Sequence, residues 1–362
     1  MKQWGPHSVK MGQKQAPLFY VLYDGITNSV FNGQVLEPLL KKIETNQSQQ
    51  ITLISFEQKN FSIADIAKII PNNKITTIIL KKVPYIGIIS LLYAAQQLKK
   101  VLKHCAEYHL IARGPLAGMI CRYIYNAKKC LSLTIQARGL MAQEYAYGMA
   151  DISKKDRLKK SLFKFRMWQL SSIEKKAYNN ANDHGSITIE AVSHALKEYL
   201  ITTFNSEREA ICVANTDIPT TITKEQCALW RKETRAELAI AVDAKVYCYN
   251  GSLKIWQCPD KVITFFKEKC AESPHSFLLV LTQDRADFQT LLMNHDVPKN
   301  KYHVIHVSHH EIYRYLAACD VGLLFREPHI VNWVSRPTKA LEYQAVNLEV
   351  IHNNTVAWLV QN

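Results

Sequence analysis

The sequence predicts an α/β protein built from two doubly wound domains with mainly parallel sheets. Three observations carry that expectation. The chain has 362 residues, room for two domains of about 150–200 residues each. From Leu18 onward, short apolar runs alternate with helical stretches, the rhythm of βαβ units. That rhythm lapses in a polar, proline-containing stretch near residues 205–222 and then starts again. The boundary therefore falls between a first domain, residues 1–205, and a second, residues 206–362.

The elements follow in order. Leu18–Tyr23 is a short apolar run ending in Asp24-Gly25 and reads as a first buried strand. Gly33–Glu44 reads as a helix, Ile51–Phe56 as a strand and Ser62–Ile70 as a helix. Lys74–Leu80 is rich in β-branched residues and reads as a third strand, followed by a helix over 86–103. His109–Ala112 and Leu131–Gln136 are further strands, each running into an Arg-Gly pair. Residues 151–182 form one long, strongly charged helical stretch. Ile187–Ala191 resumes as a strand, a helix runs to about Leu200, and Ala210–Pro219 passes from strand into loop. In the second half, Lys245–Tyr249, Ser276–Thr282, Tyr302–Val307 and Val321–Phe325 read as strands, and Glu311–Ala318 and Lys339–Ala345 as helices.

Composition narrows the classes. A hydrophobic fraction of 48% with 21% charged residues describes a globular chain, not a disordered one. The nine cysteines include no CxxC pair, so they read as reduced thiols in a reducing compartment. His303, His306, His309 and His310 run from a strand into a loop without a carboxylate partner, and no metal is expected there. The polar start lacks the apolar run of a secretory leader, which points to the cytoplasm. Val83–Ala95 falls short of the ~20 residues that span a bilayer. Its flanks are Lys81, Lys82, Lys99 and Lys100, so it reads as a helix docked on a sheet. A net charge of +14 favours anionic partners: nucleic acid, an acidic membrane or phosphorylated substrates. No RNA or DNA module signature is present, so nucleic acid is not expected. The GxGxxG fingerprint is absent too, which argues against NAD or FAD.

Open α/β sheets bind ligands outside the carboxyl ends of their strands, so a ligand is expected in the cleft that the two domains face. The most informative stretch is 320–345, DVGLLFREPHIVNWVSRPTKALEYQA. A strand leads to Arg326 and Glu327, and Ser335-Arg336-Pro337-Thr338 precedes a helix. Backbone N–H groups at that helix start, with Thr338 and Lys339, suit a diphosphate. Glu342, about one turn further in, suits the adjacent hydroxyls of a ribose. A capped helix with a solvated glutamate accounts for the same residues equally well.

These residues resemble the donor segment of the retaining, two-domain glycosyltransferases of family 4. The pattern DxGLLxRE…N.VSxPxKxxEY is matched by Asp320, Gly322, Leu323, Leu324, Arg326, Glu327, Asn332, Val334, Ser335, Pro337, Lys339, Glu342 and Tyr343. Tyr249–Gln257, YNGSLKIWQ, is similar to the family turn YxGSLxKWQ. There Gly251 and Ser252 approach the donor phosphates and Lys254, one place early, neutralises them. Asp24–Val35 resembles the first strand-to-helix loop, with Asn32 and Gly33 at the helix start on the donor side. Ala112–Gly114 and Gln136–Glu144 resemble two further loops, placing Arg113, Arg138 and Glu144 on the acceptor side.

The resemblance implies a GT-B fold of two Rossmann-like domains facing a cleft. It implies an enzyme, of hexosyltransferase type, that transfers sugar from a nucleotide-diphosphate donor to a glycan or lipid-linked acceptor, with retention. It implies no metal and no cofactor beyond the donor, and it names no catalytic residue. Two positions depart from the broad family: Val334, where the earlier of two glutamates eight positions apart often falls, and Gln136 or Ala137, where an acid usually precedes the second Arg-Gly pair. A catalytically degenerate nucleotide-sugar-binding protein and a sugar-nucleotide epimerase are the alternatives.

Lys154–Lys176 combines basic residues with apolar and aromatic ones. Lys159, Lys160, Phe163, Lys164 and Trp168 are the candidates for contact with an anionic membrane, peripheral at its inner face. A solvated helix packed on the first domain is the alternative.

Overall fold

The computed structural model describes residues 16–28, 30–46, 50–84, 87–149, 157–180, 187–214, 222–308 and 311–361. Lys154, Lys155, His309, His310 and residues 215–221 of the expected boundary loop lie outside the described residues. The chain divides into two compact units, Met1–Val192 with Leu196–Val213, and Ser193–Ala195 with Ala214–Asn362.

In the first unit, β1 (Leu18–Leu22) leads through a π-helical turn (Asn32–Leu36) into α1 (Glu37–Thr45). Then come β2 (Ile51–Glu57), α2 (Ile63–Ile69), β3 (Ile75–Lys81), α3 (Ile88–Leu102), β4 (Tyr108–Arg113) and α4 (Gly114–Ile124). β5 (Cys130–Ala137), α5 (Met141–Met149), α6 (Arg157–Tyr178), β6 (Ile187–Ala191), α7 (His194–Phe204) and β7 (Ile211–Val213) complete the series. The strands form one sheet in the order β3-β2-β1-β4-β5-β6-β7, with every pairing parallel. The π-helical turn has a local cause. Pro38 lacks an N–H, and its ring would collide with the carbonyl four residues back in a regular helix. The wider turn ahead of it, closed by Glu37 N–H on the Asn32 carbonyl, removes that clash.

In the second unit, α8 (Lys224–Glu237) and β8 (Lys245–Asn250) are followed by α9 (Pro259–Glu272), β9 (Ser276–Leu281), α10 (Arg285–Asn294) and β10 (Tyr302–Ile305). α11 (Ile312–Ala317), β11 (Val321–Leu324), α12 (Ile330–Trp333), α13 (Thr338–Ala345), β12 (Glu349–His352) and α14 (Ala357–Gln361) follow. The strand order is β10-β9-β8-β11-β12, again all parallel. Alternation along the strands fills both faces. Val246 and Cys248 of β8, with Leu279 and Leu281 of β9, enter one core, while Tyr247, Tyr249, Leu278 and Val280 enter the other. A sheet buried on both faces reads as continuous apolar runs, which is why SFLLVL shows no polar alternation.

α3 docks as expected, with the Gln97 side chain bonded in both directions to the Lys81 backbone of β3, but one part of it is uncovered. It buries Leu91, Ala94, Ala95, Leu98 and Leu102 but leaves Ile88, Ile89, Leu92 and Tyr93 exposed near its start.

Candidate functional site

Each sheet has one place where the strand order reverses, and there the helices leave on opposite sides and open a crevice at the strands' carboxyl ends. In the second sheet it lies between β8 and β11. β8 ends in Asn250 and delivers the turn Gly251-Ser252, while α13 begins beside it. Asn250 Nδ2 donates to Glu342 Oε2 at 2.6 Å, and the Asn250 N–H donates to Tyr343 Oη at 3.1 Å. Lys339 Nζ donates to Gln257 Oε1 at 2.7 Å and lies 4.8 Å from the centre of the Tyr249 ring. Gln257 Nε2 donates to Ser252 Oγ at 2.9 Å, and Tyr249 Oη to the Ser252 carbonyl at 2.7 Å. A Cβ at residue 251 would crowd Gln257 Oε1 and Lys339 Nζ, so the Gln257 and Lys339 side chains would have to shift to admit one.

The structure therefore brings together Gly251, Ser252, Lys339 and Glu342. Lys339 and Glu342 are both buried. Burial, reinforced by the Arg326 charge, holds the Lys339 ammonium pKa well below the usual lysine value. Arg326 follows β11, its backbone bonded in both directions to the Asn353 side chain. Thr338 opens α13, with Pro337 at its N-cap. Ser335 Oγ donates to the Asn332 carbonyl at 2.8 Å and so serves the loop itself. Lys254 is exposed, its Nζ 5.0 Å from the centre of the Trp256 ring. Glu327 accepts from Cys258 Sγ at 3.1 Å and pairs with Lys261 at 3.1 Å, contacts that lower its pKa.

Asp320 proves to be scaffolding. Its carboxylate pairs with Arg231 at 2.6 Å and Arg235 at 2.9 Å, and accepts the Val246 N–H at 2.7 Å. It thereby ties β11 to α8 and to the start of β8. Sequence reasoning missed Asn250, Gln257 and Tyr249 as partners in the cluster. Asn250 carried a signal, since it immediately precedes the glycine of the turn.

In the first sheet the order reverses between β1 and β4. Asp24, just past β1, lies 3.6 Å from Arg113 at the end of β4, and Arg113 Nη2 donates to Gln34 Oε1 at 2.7 Å. Gly114 follows with φ +75° and open space where a Cβ would stand, leaving the start of α4 uncovered. Asn32 is exposed and Gly33 half-buried at the opening of the π-helical turn. At the next strand, Tyr20 donates to Gln136, Gln136 Nε2 donates to Glu190 at 2.8 Å, and Arg138 lies 3.5 Å from the same carboxylate. Burial pushes the Tyr20 hydroxyl up to about 12. Glu144 sits on α5 beside Gly139. Glu174, the lone acid of α6, accepts the N–H groups of Met141 and Ala142 at the start of α5. Glu190 gave no signal in the sequence, because its place in ITIEA looks like any outward strand position.

On α6, Lys159, Lys160, Lys164 and Trp168 are exposed, whereas Phe163 is half-buried and stacks on Tyr145 at 5.7 Å. Among the described residues no helix is long and apolar enough to cross a membrane. Among them, too, no group of three or more His, Cys, Asp or Glu is placed to hold a metal ion. His303 Nε2 lies 2.8 Å from the Leu238 carbonyl, inside the fold.

No family model matches the chain, and no curated protein matches it in sequence. Solved structures do match in fold. One is WaaG, a glycosyltransferase involved in lipopolysaccharide biosynthesis, with a TM-score of 0.65 at 11% identity over 95% of this chain and 83% of that one. Sucrose-phosphate synthase from Thermosynechococcus elongatus matches with a TM-score of 0.63 at 14% identity, over 96% of this chain and 83% of that one. Anabaena HepE in complex with UDP-glucose matches at 0.61 and 12% identity, over 96% of this chain and 83% of that one. The chain has the GT-B fold of these glycosyltransferases, two Rossmann-like units of parallel sheet and alternating helices.

Proposed function

We propose that this protein is a glycosyltransferase that moves a sugar from a nucleotide-diphosphate sugar to a glycan or lipid-linked acceptor. The observation that carries the reading is the cluster at the β8/β11 switch point. The Gly251 turn lies against the Gln257 and Lys339 side chains at the first turns of α13, beside buried Lys339 and buried Glu342. That pairing suits a donor: amides and Lys339 toward the diphosphate, Glu342 toward the ribose. Arg326, Lys254 and Thr338 complete the donor set of the second unit, and Asn32 and Gly33 are the donor candidates of the first unit taken by itself. Cations and helix-start amides would stabilise the diphosphate as it departs, an electrostatic role. Arg113, Arg138 and Glu144 are assigned to the acceptor, and an anionic membrane surface at the cytoplasmic face is the proposed place of action. Hexosyl transfer with retention follows from the resemblance to family 4.

Thermal unfolding across a panel of nucleotide sugars tests the reading. A ligand that binds only the folded state adds about 2.7 kcal/mol at 100 times its Kd and raises the Tm accordingly. Because the HepE structure holds UDP-glucose, the panel begins with uridine donors. No stabilisation by any nucleotide sugar would overturn the proposal.

A second reading has an observation in its favour. Val334 is fully buried where the family pattern carries an acid, and Gln136 spends its amide on Tyr20 and Glu190. A nucleotide-sugar-binding protein without transfer fits those facts. Stabilisation by donor with neither hydrolysis nor transfer would select it.

A further inference from the structure

We propose that the groove where α3, α4, α5 and α6 meet docks into the acyl region of an anionic lipid bilayer. The inference deepens the membrane-surface partner proposed above. Its test uses no donor, so it stands or falls apart from the transferase reading.

The groove has a volume of about 910 Å³ and is lined mainly by Ile89, Met119, Leu162, Phe165, Trp168 and Ile173. Four of these face water: Ile89 is 64% exposed, Leu162 66%, Phe165 56% and Trp168 66%. They come from two elements far apart in sequence, so the patch is larger than the amphipathic helix alone. On α6 the lining residues Leu162, Phe165, Gln169, Ser172 and Lys176 recur three or four apart and share one face. Leu170, Ala177 and Tyr178 are buried and anchor the helix, while Leu162, Phe165 and Trp168 stay exposed along the groove. A contiguous apolar patch of this kind marks an interaction surface.

Charge selects the occupant. Arg166 and Lys176 line the groove, and Lys159, Lys160, Lys164 and Lys175 are exposed on the same helix. The lone acid of α6, Glu174, is buried and commits its carboxylate to two N–H groups of α5. The exposed described surface of α6 is therefore cationic without a compensating acid. Apolar side chains framed by lysines complement a bilayer interface, where headgroup phosphates meet acyl chains. The same rim disfavours a second copy of the chain, which would bring like charges together. Phe163, stacked on Tyr145, supports the groove from inside.

The test is sedimentation of the full chain with vesicles of phosphatidylcholine, with and without phosphatidylglycerol. Binding to the acidic vesicles should fall at least tenfold on neutral vesicles or in high salt. The double variant Ile89→Ser, Leu162→Ser should lower it at least tenfold as well. Both side chains are exposed, so an unchanged Tm verifies the fold. Acyl chains brominated near the glycerol should quench tryptophan fluorescence, and Trp168→Phe should abolish most of that quenching. Equal binding to neutral and acidic vesicles, or none, overturns the proposal. So does binding that responds to Lys159→Glu and Lys164→Glu but not to the serine variants, because the groove would then stay out of the bilayer. Self-association lost in the serine variants, or displacement of vesicles by an acidic peptide, would assign the groove to a protein and likewise overturn it.

Discussion

Glu174→Gln should change how stability depends on pH, and the structure sets the size of the effect. Glu174 is 2% exposed and accepts two N–H groups at the start of α5. Burial outweighs those bonds and raises its carboxyl from the ordinary 4.5 to about 7, with the Glu144 charge on α5 acting in the same direction. A raised folded-state pKa means that the folded protein holds a proton which the unfolded chain has released. Stability is therefore highest below about pH 4.5 as far as this group is concerned, and is lost as pH rises through about 7. The slope approaches ~1.4 kcal/mol per pH unit, so the loss between about pH 5.5 and about pH 8 is roughly 2 kcal/mol. Glutamine does not titrate. Every other group cancels when wild type and variant are compared, so the stability of Glu174→Gln relative to wild type should improve by roughly 2 kcal/mol over that range. Urea unfolding at the two pH values measures it. A difference constant to within about 0.5 kcal/mol would refute the argument, since linkage requires the shift to appear.

Glu342→Gln should weaken nucleotide-sugar binding by about 1.5–3 kcal/mol, tenfold or more in Kd, with the Tm retained. Calorimetry that found unchanged affinity would remove Glu342 from the ribose. Asp320→Asn should destabilise the second unit by about 3–5 kcal/mol in urea, because the Arg235 guanidinium would lose its carboxylate while staying buried. A loss below about 1 kcal/mol would contradict the scaffold role. Gly251→Ala should cost less than about 1 kcal/mol in stability yet reduce donor affinity, since the new Cβ displaces the flexible ends of Gln257 and Lys339. Unchanged affinity would show slack in the turn. Diphosphate charge should raise the Lys339 pKa, which burial and Arg326 hold down. Calorimetry over a pH series in buffers of different ionisation enthalpy should therefore find a pH range in which donor binding takes up protons, and Lys339→Met should remove it.

The parallel architecture was legible because a sheet covered on both faces demands largely apolar strands, as in ITLISF and SFLLVL, whereas the edge strand KITTIIL is marked by its β-branched residues. Helices were harder. α9 opens with Pro259 after Cys258 at φ 50°, and no capping side chain announces it. The exposed start of α3 was not legible either. An apolar run beside lysines looks the same whether it packs on a sheet or lines a groove, and what decides is the neighbouring α6, more than sixty residues away in sequence.

At the site, the spacing of residues marked the right segment but could not say which side chains turn inward. Gly322 is small because the Tyr343 ring would lie 2.4 Å from a Cβ there. Tyr343 is fixed by the Asn250 N–H, Asn332 donates to the Glu327 carbonyl, and Asp320 closes the ion cluster with α8. Four of the thirteen family-like residues of 320–343 thus serve the scaffold: Gly322 and Tyr343 seat α13 on β11 and the end of β8, Asn332 holds its own loop, and Asp320 ties β11 to α8. That explains how so dense a pattern can persist alongside Val334, which is fully buried and was never free to act on a ligand as an acid does. The scaffold that presents a donor and the groups that would react with it answer to different constraints: packing fixes the first, and only exposure at the carboxyl ends of the strands can fix the second. Glu342 belongs to the first by its burial and its bond to Asn250, and its substitution tests whether it belongs to the second as well, separating a structural motif from a binding one.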